Sequence, residues 1–227
     1  MPVVDQVVAD GGRAQFLPID LASLSSVRSA TSRLLDQGRP IHLLVNNAGI
    51  GMGRGVTEDG FEIHFGVNHL GHFALTGRLA PLLTAGSRVV TVASAAHHNA
   101  PGIDFELATR RTRSLTGWPE YSMSKLANVL FSRELARRHP EWRTYAVHPG
   151  LADTGIIPTW VRPFVQHRMI SAAEGADTVL WCATADAVSD ETGLYYQKRE
   201  AVRPSPAAAD EHVALQLWER SVAWSGQ

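Results

Sequence analysis

Apolar positions in this chain follow two spacings that alternate along its length. Continuous apolar runs such as IHLLVN (41–46) and the β-branched SRVVTVAS (87–94) are typical of strands buried inside a parallel sheet. Between such runs, apolar residues recur at the three- to four-residue spacing of a helix that buries one face. The runs predict five strands, at 14–20, 41–46, 87–94, 143–150 and 193–197.

Six segments with helical spacing accompany these strands, at 3–10, 23–37, 58–85, 119–139, 171–184 and 207–224. Gly11 and Gly38 stand where glycine commonly ends a helix, and Pro119 stands where proline commonly begins one. Strands that alternate with helices form a parallel sheet covered on both faces. We therefore expect an α/β fold, a doubly wound parallel sheet in a three-layer α/β/α arrangement, as a single domain spanning 1–227.

Composition narrows the functional classes. The formal net charge is −1, and neither a basic face for nucleic acid nor a polybasic segment for a membrane surface is evident. The single cysteine, Cys182, cannot form an intramolecular disulfide and favours a reducing compartment. No signal peptide pattern and no apolar run of about 18 residues is present. We expect a cytoplasmic protein with a small-molecule substrate and no nucleic-acid or membrane partner.

An open parallel sheet binds its ligand beyond the carboxyl ends of its strands. Those ends fall just after Asp20, Asn46, Ser94 and His148. We therefore expect the chemically important residues to follow these four positions.

Tyr121 and Lys125 are four residues apart on one face of a predicted helix. A free tyrosine has a pKa near 10, and an ammonium one turn away favours the phenolate and lowers that pKa. Ser94 could hydrogen-bond a carbonyl oxygen held by the same tyrosine, so that these groups stabilise the charge formed on oxygen during hydride transfer. Taken alone, such a pair is more often an ordinary solvated i,i+4 contact, because tyrosine and lysine at this spacing occur by chance in many helices.

Several motifs, all in one order, resemble the short-chain dehydrogenase/reductase family over nearly the whole chain. They are NNAG (46–49), VNHLGHF (67–73), the Tyr121-x-x-x-Lys125 pair and HPGLADT (148–154). VNHLGHFALT, the long interval before Tyr121 and LWERS near the C-terminus are similar to retinol-dehydrogenase-like, WW-domain-oxidoreductase-like and protochlorophyllide-reductase-like members. The resemblance implies a Rossmann-like fold, NAD or NADP as cofactor, and a homodimer or homotetramer.

The resemblance also implies a catalytic tetrad of Asn68, Ser94, Tyr121 and Lys125. In it, the tyrosine is the general acid/base, the lysine lowers its pKa and holds the nicotinamide ribose, the serine orients the substrate, and the asparagine holds a water. The residues that the resemblance places against the cofactor are Asp20, Leu21, Asn46, Ala48, Gly49, Tyr121, Lys125, Pro149, Gly150, Ala152 and Thr154.

Several histidines have less definite roles. His69 and His72 are three residues apart on a predicted helix, but no carboxylate or cysteine partner is evident, so we expect packing and no metal site. His97 and His98 follow Ser94, where the substrate pocket should begin, and either contact with substrate or a purely structural position is open.

The glycine-rich stretch NNAGIGMGRG (46–55) does not match a dinucleotide phosphate loop. Arg54, Val56 and Glu58 stand where the successive registers of G-x-G-x-x-G need their last glycine. Members of the family begin with a strand, a Thr-Gly-x-x-x-Gly-x-Gly turn, a helix and a second strand, none of which this sequence has. We expect an N-terminally truncated fold in which strand 41–46 is an exposed apolar edge. A gene start placed at an internal methionine, a naturally short chain and a part of a longer sequence all remain open.

Our leading hypothesis is an NAD(P)-dependent oxidoreductase that interconverts a carbonyl and an alcohol. Trp160 and Phe164 lie where the family has its substrate lid and favour an apolar substrate, although core packing explains them equally well. Two alternatives follow from the missing phosphate loop. One is a non-redox binding or regulatory partner, and the other is a cofactor-independent lyase or cyclase that keeps the tyrosine as its acid.

Overall fold

A computed structural model describes residues 2–150 and 170–227. Its sheet contains four parallel strands, β1 (Ile41–Asn46), β2 (Leu83–Val92), β3 (Arg143–His148) and β4 (Leu194–Gln197). The two-residue β5 (Glu200–Ala201) pairs antiparallel with β4, and the strand order is β1-β2-β3-β4-β5. The parallel α/β class predicted from the sequence is confirmed.

Helices precede the first strand, connect β1 through β4, and follow β5. They are α1 (Pro2–Ala9), α2 (Leu24–Gln37), α3 (Ile63–Phe65), a π-helical turn (Gly66–Leu70), α4 (Gly71–Leu79), α5 (Trp118–Arg138), α6 (Ala172–Thr184) and α7 (Glu211–Ser225). Capping residues explain several of these boundaries. Ser23 caps the start of α2, Gly38 ends it in the left-handed conformation, and Ser171 and Glu174 form a capping box at the start of α6.

The two faces of the sheet are covered by different helices because successive side chains of a strand point to opposite faces. Val90, Tyr145 and Tyr196 face α6, where they pack with Val179 and Cys182. On the opposite face, the alternate residues of the same strands pack against α4, α5 and α7, among them Val89, Ala146 and Tyr195. The result is the predicted three-layer arrangement.

Helix α5 is buried on nearly all sides, whereas its sequence predicted an amphipathic helix with one exposed face. Most of its residues from Glu120 to Ala136 are buried, because α5 lies between the sheet and helices α4 and α7. The sequence alone could not show this, because burial of the outer face depends on helices that other segments of the chain supply.

The strand predicted over 14–20 is absent from the sheet. This segment has no ladder partner among the described residues, and Phe16 and Ile19 are 54% and 39% exposed. A strand is held mainly by hydrogen bonds to a neighbour, so an isolated apolar segment does not become one by pattern alone. Strand β1 in turn is the edge strand of the described sheet. Its side chains Leu43 and Val45, which point to one face, are 41% and 38% exposed. The exposed edge strand that we expected at 41–46 is confirmed. The full burial of that strand, which its apolar run suggested, is wrong.

Two predicted boundaries also differ from the structure. The helix predicted over 58–85 begins at Ile63, and α4 ends at Leu79, because Pro81 enters a 3₁₀ turn and lacks the amide hydrogen that a longer helix needs. Strand β2 therefore starts at Leu83, earlier than the predicted 87, and continues through Gly86.

Candidate active site

The carboxyl ends of the parallel strands meet at one edge of the sheet, as the sequence predicted. Asn46 pairs in register with Thr91, and Val92 pairs with Val147. Ser94 follows β2 after Ala93 and caps a 3₁₀ turn (Ala95–Asn99), where its Oγ accepts a hydrogen bond from the amide of Ala96 at 3.2 Å. The residues that end β1, β2 and β3 therefore surround one site.

Tyr121 lies in the first turn of α5 and reaches this site. Its hydroxyl lies close enough to the side chain of Ser94 for the serine to lower the tyrosine pKa. The turn before α5 depends on Gly117, whose φ of 74° is left-handed and whose added Cβ would come within 2.3 Å of the carbonyl oxygen of Gly53. Glycine is thus required where the chain turns into the helix that carries the tyrosine.

Lys125 lies one turn after Tyr121, as its spacing predicted. Its Nζ is 5.8 Å from the centroid of the tyrosine ring and donates a hydrogen bond to the carbonyl oxygen of Val92 at 3.0 Å. The amide of Asn128 donates to the same carbonyl at 3.1 Å. The lysine is buried, and the last peptide of β2 fixes its ammonium group.

The electrostatics of the pair differ from the sequence expectation. Burial raises the pKa of Tyr121, and only the hydrogen bond with Ser94 acts in the opposite direction. Burial also lowers the pKa of Lys125 to about 8, because no carboxylate compensates for the desolvation of its ammonium. The lowering of the tyrosine pKa that we expected from the lysine is therefore not seen in this structure.

Asn68 joins the turn after β1 to helix α5. Its Oδ1 accepts from the amide of Ile50 at 2.8 Å, and its Nδ2 donates to the carbonyl of Ile50 at 3.0 Å and to Ser124 Oγ at 2.9 Å. Ser124 Oγ in turn donates to the carbonyl of Tyr121 at 2.7 Å. The asparagine lies in the π-helical turn, where one extra residue per turn redirects the side chains of a helix.

Two histidines flank this turn and pack in the interior. His72 Nδ1 donates to the backbone carbonyl of Asn68 at 3.0 Å, and His69 Nε2 lies 3.0 Å from Ser221 Oγ. Burial lowers the pKa of His69 to about 3 and that of His72 to about 4. Both rings are therefore neutral near pH 7, and their predicted packing role is confirmed.

The turn after β1 contributes the remaining neighbours of the lysine. A Cβ added to Gly49 would lie 2.9 Å from Asn68 Oδ1 and 3.7 Å from Lys125 Nζ, so the absence of a side chain lets this turn approach the asparagine and the lysine closely. Ala48 is exposed, whereas Asn46 is buried and donates from Nδ2 to Thr76 Oγ1 at 3.0 Å. The turn after β1 is therefore held close to Asn68 and Lys125.

The other residues implied for the cofactor are less closely grouped. Asp20 is exposed, and its Oδ1 accepts from the amide of Ala22 at 2.9 Å. Leu21 is buried and packs against Gly71. A Cβ added to Gly71 would lie 2.7 Å from the carbonyl oxygen of Leu21. Pro149 and Gly150 directly follow β3 at the site edge, and Gly150 has a left-handed φ of 88°. Ala152, Thr154, Trp160 and Phe164 lie outside the described residues.

The structure assigns His97 a structural position. Its Nδ1 donates to the carbonyl of Ser94 at 2.7 Å, and its Nε2 accepts from the amide of Ser205 at 3.1 Å. With both ring nitrogens occupied, His97 shapes the turn that carries the serine. His98 is exposed, and its ring centroid lies 4.1 Å from that of His97.

The sequence interpretation missed a buried carboxylate, Glu62, which contacts a histidine next to Tyr121. Glu62 accepts hydrogen bonds from Thr112 Oγ1, from His64 Nδ1 at 2.8 Å and from the amide of Phe65 at 2.9 Å. The ring of His64 lies edge-on to Tyr121, with 6.3 Å between centroids. Because Thr112 is fifty residues from Glu62 along the chain, no local spacing could have indicated this group.

Known proteins are similar to this chain in sequence and in fold. A family model described as enoyl-(acyl carrier protein) reductase matches residues 2–189. Human retinol dehydrogenase 12 is 39% identical over 219 residues, which cover 89% of this chain and 67% of the relative. Mouse polyprenol dehydrogenase is 38% identical over 245 aligned positions, covering 99% of this chain and 72% of the relative.

Solved structures agree with these matches. A crystal structure of an uncharacterised protein from Mycobacterium paratuberculosis has a TM-score of 0.75 and 37% identity, and the match covers 95% of this chain and 77% of that one. A blue fluorescent protein from a metagenomic library, solved in complex with NADPH, has a TM-score of 0.67 and 26% identity, with 86% and 78% coverage.

The fold and site define a nicotinamide-dependent oxidoreductase with a Rossmann-like sheet. The chain belongs to the short-chain dehydrogenase/reductase family, in its retinol-dehydrogenase-like branch. No helix in the described ranges 2–150 and 170–227 has the length and apolarity needed to span a bilayer.

Proposed function

We propose that this chain interconverts a carbonyl and an alcohol on a small apolar substrate, with Asn68, Ser94, Tyr121 and Lys125 as its working residues. The observation that supports this most directly is the position of Ser94 beside Tyr121 at the carboxyl ends of the strands, with Lys125 one turn away. Two neighbouring hydroxyl groups can both reach a single substrate oxygen. The relatives named for retinol and polyprenol are dehydrogenases of apolar alcohols, which supports the apolar class.

In the proposed reaction, Tyr121 exchanges a proton with the substrate oxygen, and Ser94 donates a hydrogen bond that holds this oxygen in place. The hydroxyl of a buried tyrosine is protonated at neutral pH, which suits proton donation in the direction of carbonyl reduction. Lys125 then stabilises the phenolate that remains. Asn68 holds the turn after β1 against α5, so that the lysine and tyrosine keep their spacing.

The residues at the site edge fit a nicotinamide cofactor. The turn after β1 brings Gly49 close to Lys125 Nζ, and the neighbouring Ala48 is exposed. We propose that the cofactor is held by the set implied by the resemblance, namely Asp20, Leu21, Asn46, Ala48, Gly49, Tyr121, Lys125, Pro149, Gly150, Ala152 and Thr154. When bound, the nicotinamide supplies or accepts the hydride.

The test is reduction of a hydrophobic aldehyde, followed through consumption of NADH or NADPH. Tyr121→Phe removes the proton donor and should lower kcat by about 10²- to 10⁴-fold. Tyr195→Phe is the matched control, because the buried hydroxyl of Tyr195 has no hydrogen-bond partner among the described residues. Less than about tenfold loss in Tyr121→Phe would reject the assignment.

Two further measurements address the alternatives. Calorimetry with NADH and NADPH tests the non-redox binding hypothesis, which predicts no cofactor binding. Substrate conversion in the absence of any nicotinamide would instead favour a lyase or cyclase.

Three broader features are part of the same proposal. A single domain over 1–227 is supported by helices from both halves of the chain packing on one sheet. Association into a homodimer or homotetramer is supported by the apolar outer edge of β1. A cytoplasmic location is supported by the lone cysteine, which is buried.

A further inference from the structure

The serine of the candidate site lies at a short turn that its own backbone hydrogen bonds hold only weakly. Ser94 precedes the 3₁₀ turn Ala95–Asn99, and 3₁₀ hydrogen bonds have poorer geometry than those of an α-helix. The Oγ of Ser94 accepts from the amide of Ala96, and a hydroxyl that accepts in this way keeps its hydrogen for another partner. The direction of that hydroxyl therefore depends on what else holds the serine peptide.

The imidazole of His97 holds this peptide from a second side. Its Nδ1 donates to the carbonyl oxygen of Ser94 at 2.7 Å, and the backbone amide of His97 donates to the same oxygen at 3.1 Å. The ring is fully buried and lies edge-on to Tyr195, with 4.8 Å between the centroids. The peptide that follows Ser94 is thus fixed by one side chain.

A second hydrogen bond connects the same ring to the segment after β5. His97 Nε2 accepts from the backbone amide of Ser205 at 3.1 Å, and Ser205 is itself buried at the start of a 3₁₀ turn (Pro206–Ala209). Ser205 lies 108 residues after His97 in the chain, so the two meet only through folding. The imidazole therefore joins the end of β2 to the segment after β5.

These two bonds require one protonation state of the imidazole. The carbonyl oxygen of Ser94 needs a hydrogen on Nδ1, and the amide of Ser205 needs a lone pair on Nε2, so the neutral ring with its hydrogen on Nδ1 satisfies both. A protonated ring would carry a hydrogen on Nε2 that points at the amide hydrogen of Ser205. The link from Ser205 to Ser94 therefore holds only while Nε2 has no proton.

The surroundings of the ring favour that neutral state. Burial is the main cause that lowers the pKa of His97, and His98 lowers it further, while the hydrogen bond to the backbone carbonyl acts in the opposite direction. Titratable groups also lie on the elements around the ring, namely Tyr195 on β4, His148 at the end of β3, Lys125 on α5 and the exposed Arg203 on the segment after β5. None of these four groups is negatively charged near neutral pH, so none opposes the effect of burial.

We propose that His97 is a positioning residue, which accepts the amide of Ser205 on Nε2 and thereby directs the hydroxyl of Ser94 towards the substrate oxygen. The part played by Ser94 rests on the proposed function, whereas the link from Ser205 through His97 to the serine peptide does not. Because the link fails when Nε2 is protonated, kcat should fall reversibly in acid, below the ordinary histidine pKa of about 6.5.

Removal of one backbone hydrogen tests the link. Ser205 has a φ of −59°, which proline adopts without strain, so Ser205→Pro removes the amide donor at a compatible backbone angle. Ser205→Ala is the matched control, because it loses the same side chain and keeps the amide. The proline variant should have a kcat about tenfold below that of the alanine variant, for a displacement smaller than the 1 Å that costs about 10²-fold.

The same pair of variants has a second readout. In Ser205→Pro the acid loss of kcat should begin at a higher pH than in Ser205→Ala, because the amide hydrogen no longer opposes a proton on Nε2. Equal kcat values and equal pH profiles in the two variants would overturn the proposal.

A double-mutant cycle tests whether His97 acts through the serine, and it judges the proposal even if the proline variant does not fold. His97→Phe keeps a buried ring against Tyr195 and loses both hydrogen bonds, so kcat should fall by about 10²-fold while cofactor affinity changes little. Ser94→Ala should absorb this loss, so that S94A/H97F is no slower than S94A alone. Losses that multiply would indicate a general structural role and overturn the proposal.

The pH profile separates His97 from its neighbour. His97→Phe should lose the acid decline of kcat, whereas His98→Gln should keep it. Unfolding is followed at each pH, because His69 and His72 have lowered pKa values and also weaken the fold in acid. An acid decline that persists in folded His97→Phe would show that the neutral ring is not required.

Nitrogen NMR of the imidazole separates failure of the link from failure of the proposed function. Spectra of the wild type at pH 7 should show the His97 proton on Nδ1 alone, and the ring should titrate at higher pH in Ser205→Pro than in Ser205→Ala. Equal titration in the two variants, or a proton on Nε2, overturns the link whatever the activity. A wild-type protein that reduces no aldehyde with NADH or NADPH contradicts the proposed function, and these spectra then decide the link.

Discussion

Asn68 Nδ2 donates a hydrogen bond to Ser124 Oγ at 2.9 Å, and this contact ties the π-helical turn to the helix that carries Tyr121 and Lys125. The same amide also holds Ile50 through two further hydrogen bonds, so one buried side chain connects three segments of the site. A buried group with several partners is costly to remove, because every partner loses its hydrogen bond at once.

We predict that Asn68→Ala lowers both stability and activity. The loss of three buried hydrogen bonds should reduce the free energy of unfolding by about 2–4 kcal/mol, at about 1 kcal/mol for each bond. Ser124→Ala removes only the contact to Asn68 and one bond to a carbonyl, and should cost less. In a double-mutant cycle by chemical denaturation, the two should show a coupling of about 1 kcal/mol, and additive effects would contradict a direct link.

We predict that Gly49→Ala impairs the site although it adds only a methyl group. The new Cβ would lie 2.9 Å from Asn68 Oδ1, which must shift and disturb the spacing to Lys125. We expect a loss of cofactor affinity, measured by calorimetry, together with a lower kcat. Gly102→Ala is the control, because nothing lies within 4 Å of its added Cβ. Equal behaviour of the two variants would show that the turn tolerates a side chain.

We predict that Lys125→Met makes the protein more stable and less active at pH 7. The pKa of Lys125 falls from 10.5 to about 8, so below pH 8 the folded state carries a buried ammonium at a cost of up to about 3 kcal/mol. Between pH 8 and 10.5 the unfolded state binds more protons, and wild-type stability should therefore rise with pH across this window. Chemical denaturation at several pH values measures this.

Lys198→Met is the control for the lysine, since Lys198 is exposed on the turn between β4 and β5. It should leave the pH dependence of stability unchanged. A wild-type stability that is flat between pH 8 and 10.5 would contradict the buried ammonium.

We predict loss of stability in mild acid through His69 and His72. Their pKa values are about 3 and 4 in the folded state, against 6.5 in the unfolded chain. Above pH 6.5 both states are neutral and the histidines have no effect. As the pH falls from 6.5 towards 4, only the unfolded chain takes up these protons, so stability should fall by up to about 1.4 kcal/mol per pH unit for each histidine.

His69→Gln should remove the contribution of one histidine to this pH dependence of stability, even if the substitution lowers stability at neutral pH. His42→Gln is the control, because His42 is exposed on β1. The slope of unfolding free energy between pH 6.5 and 4 is the measurement, and an unchanged slope in His69→Gln would contradict the assignment.

The sequence predicted the parts of the fold that depend on local pattern. The apolar run before Asn46 and the β-branched run before Ser94 became neighbouring parallel strands, and Gly38 ended its helix as predicted. The segment 14–20 has the same local pattern as these strands but forms none, because a ladder also needs a neighbour. Local pattern alone could not reveal that difference.

Some features of the candidate site could likewise be predicted from the sequence, and others could not. The spacing of Tyr121 and Lys125 predicted their common face, which the helix preserves. Their pKa values could not be predicted from spacing, since burial outweighs the contact between them and depends on residues far apart in the chain. The contact of Glu62 with Thr112 and the approach of Arg54 to Thr112 depend likewise on folding that brings distant segments together.

The hydrogen bonds of Glu120 have a consequence for which substitutions the loop before α5 can accept. This carboxylate directly precedes Tyr121 and accepts from the backbone amides of Arg113 and Ser114. Because a backbone amide supplies the bond at Arg113, that side chain can be exchanged without loss of the contact. Proline is the exception, since it has no amide hydrogen and would leave the buried carboxylate one donor short.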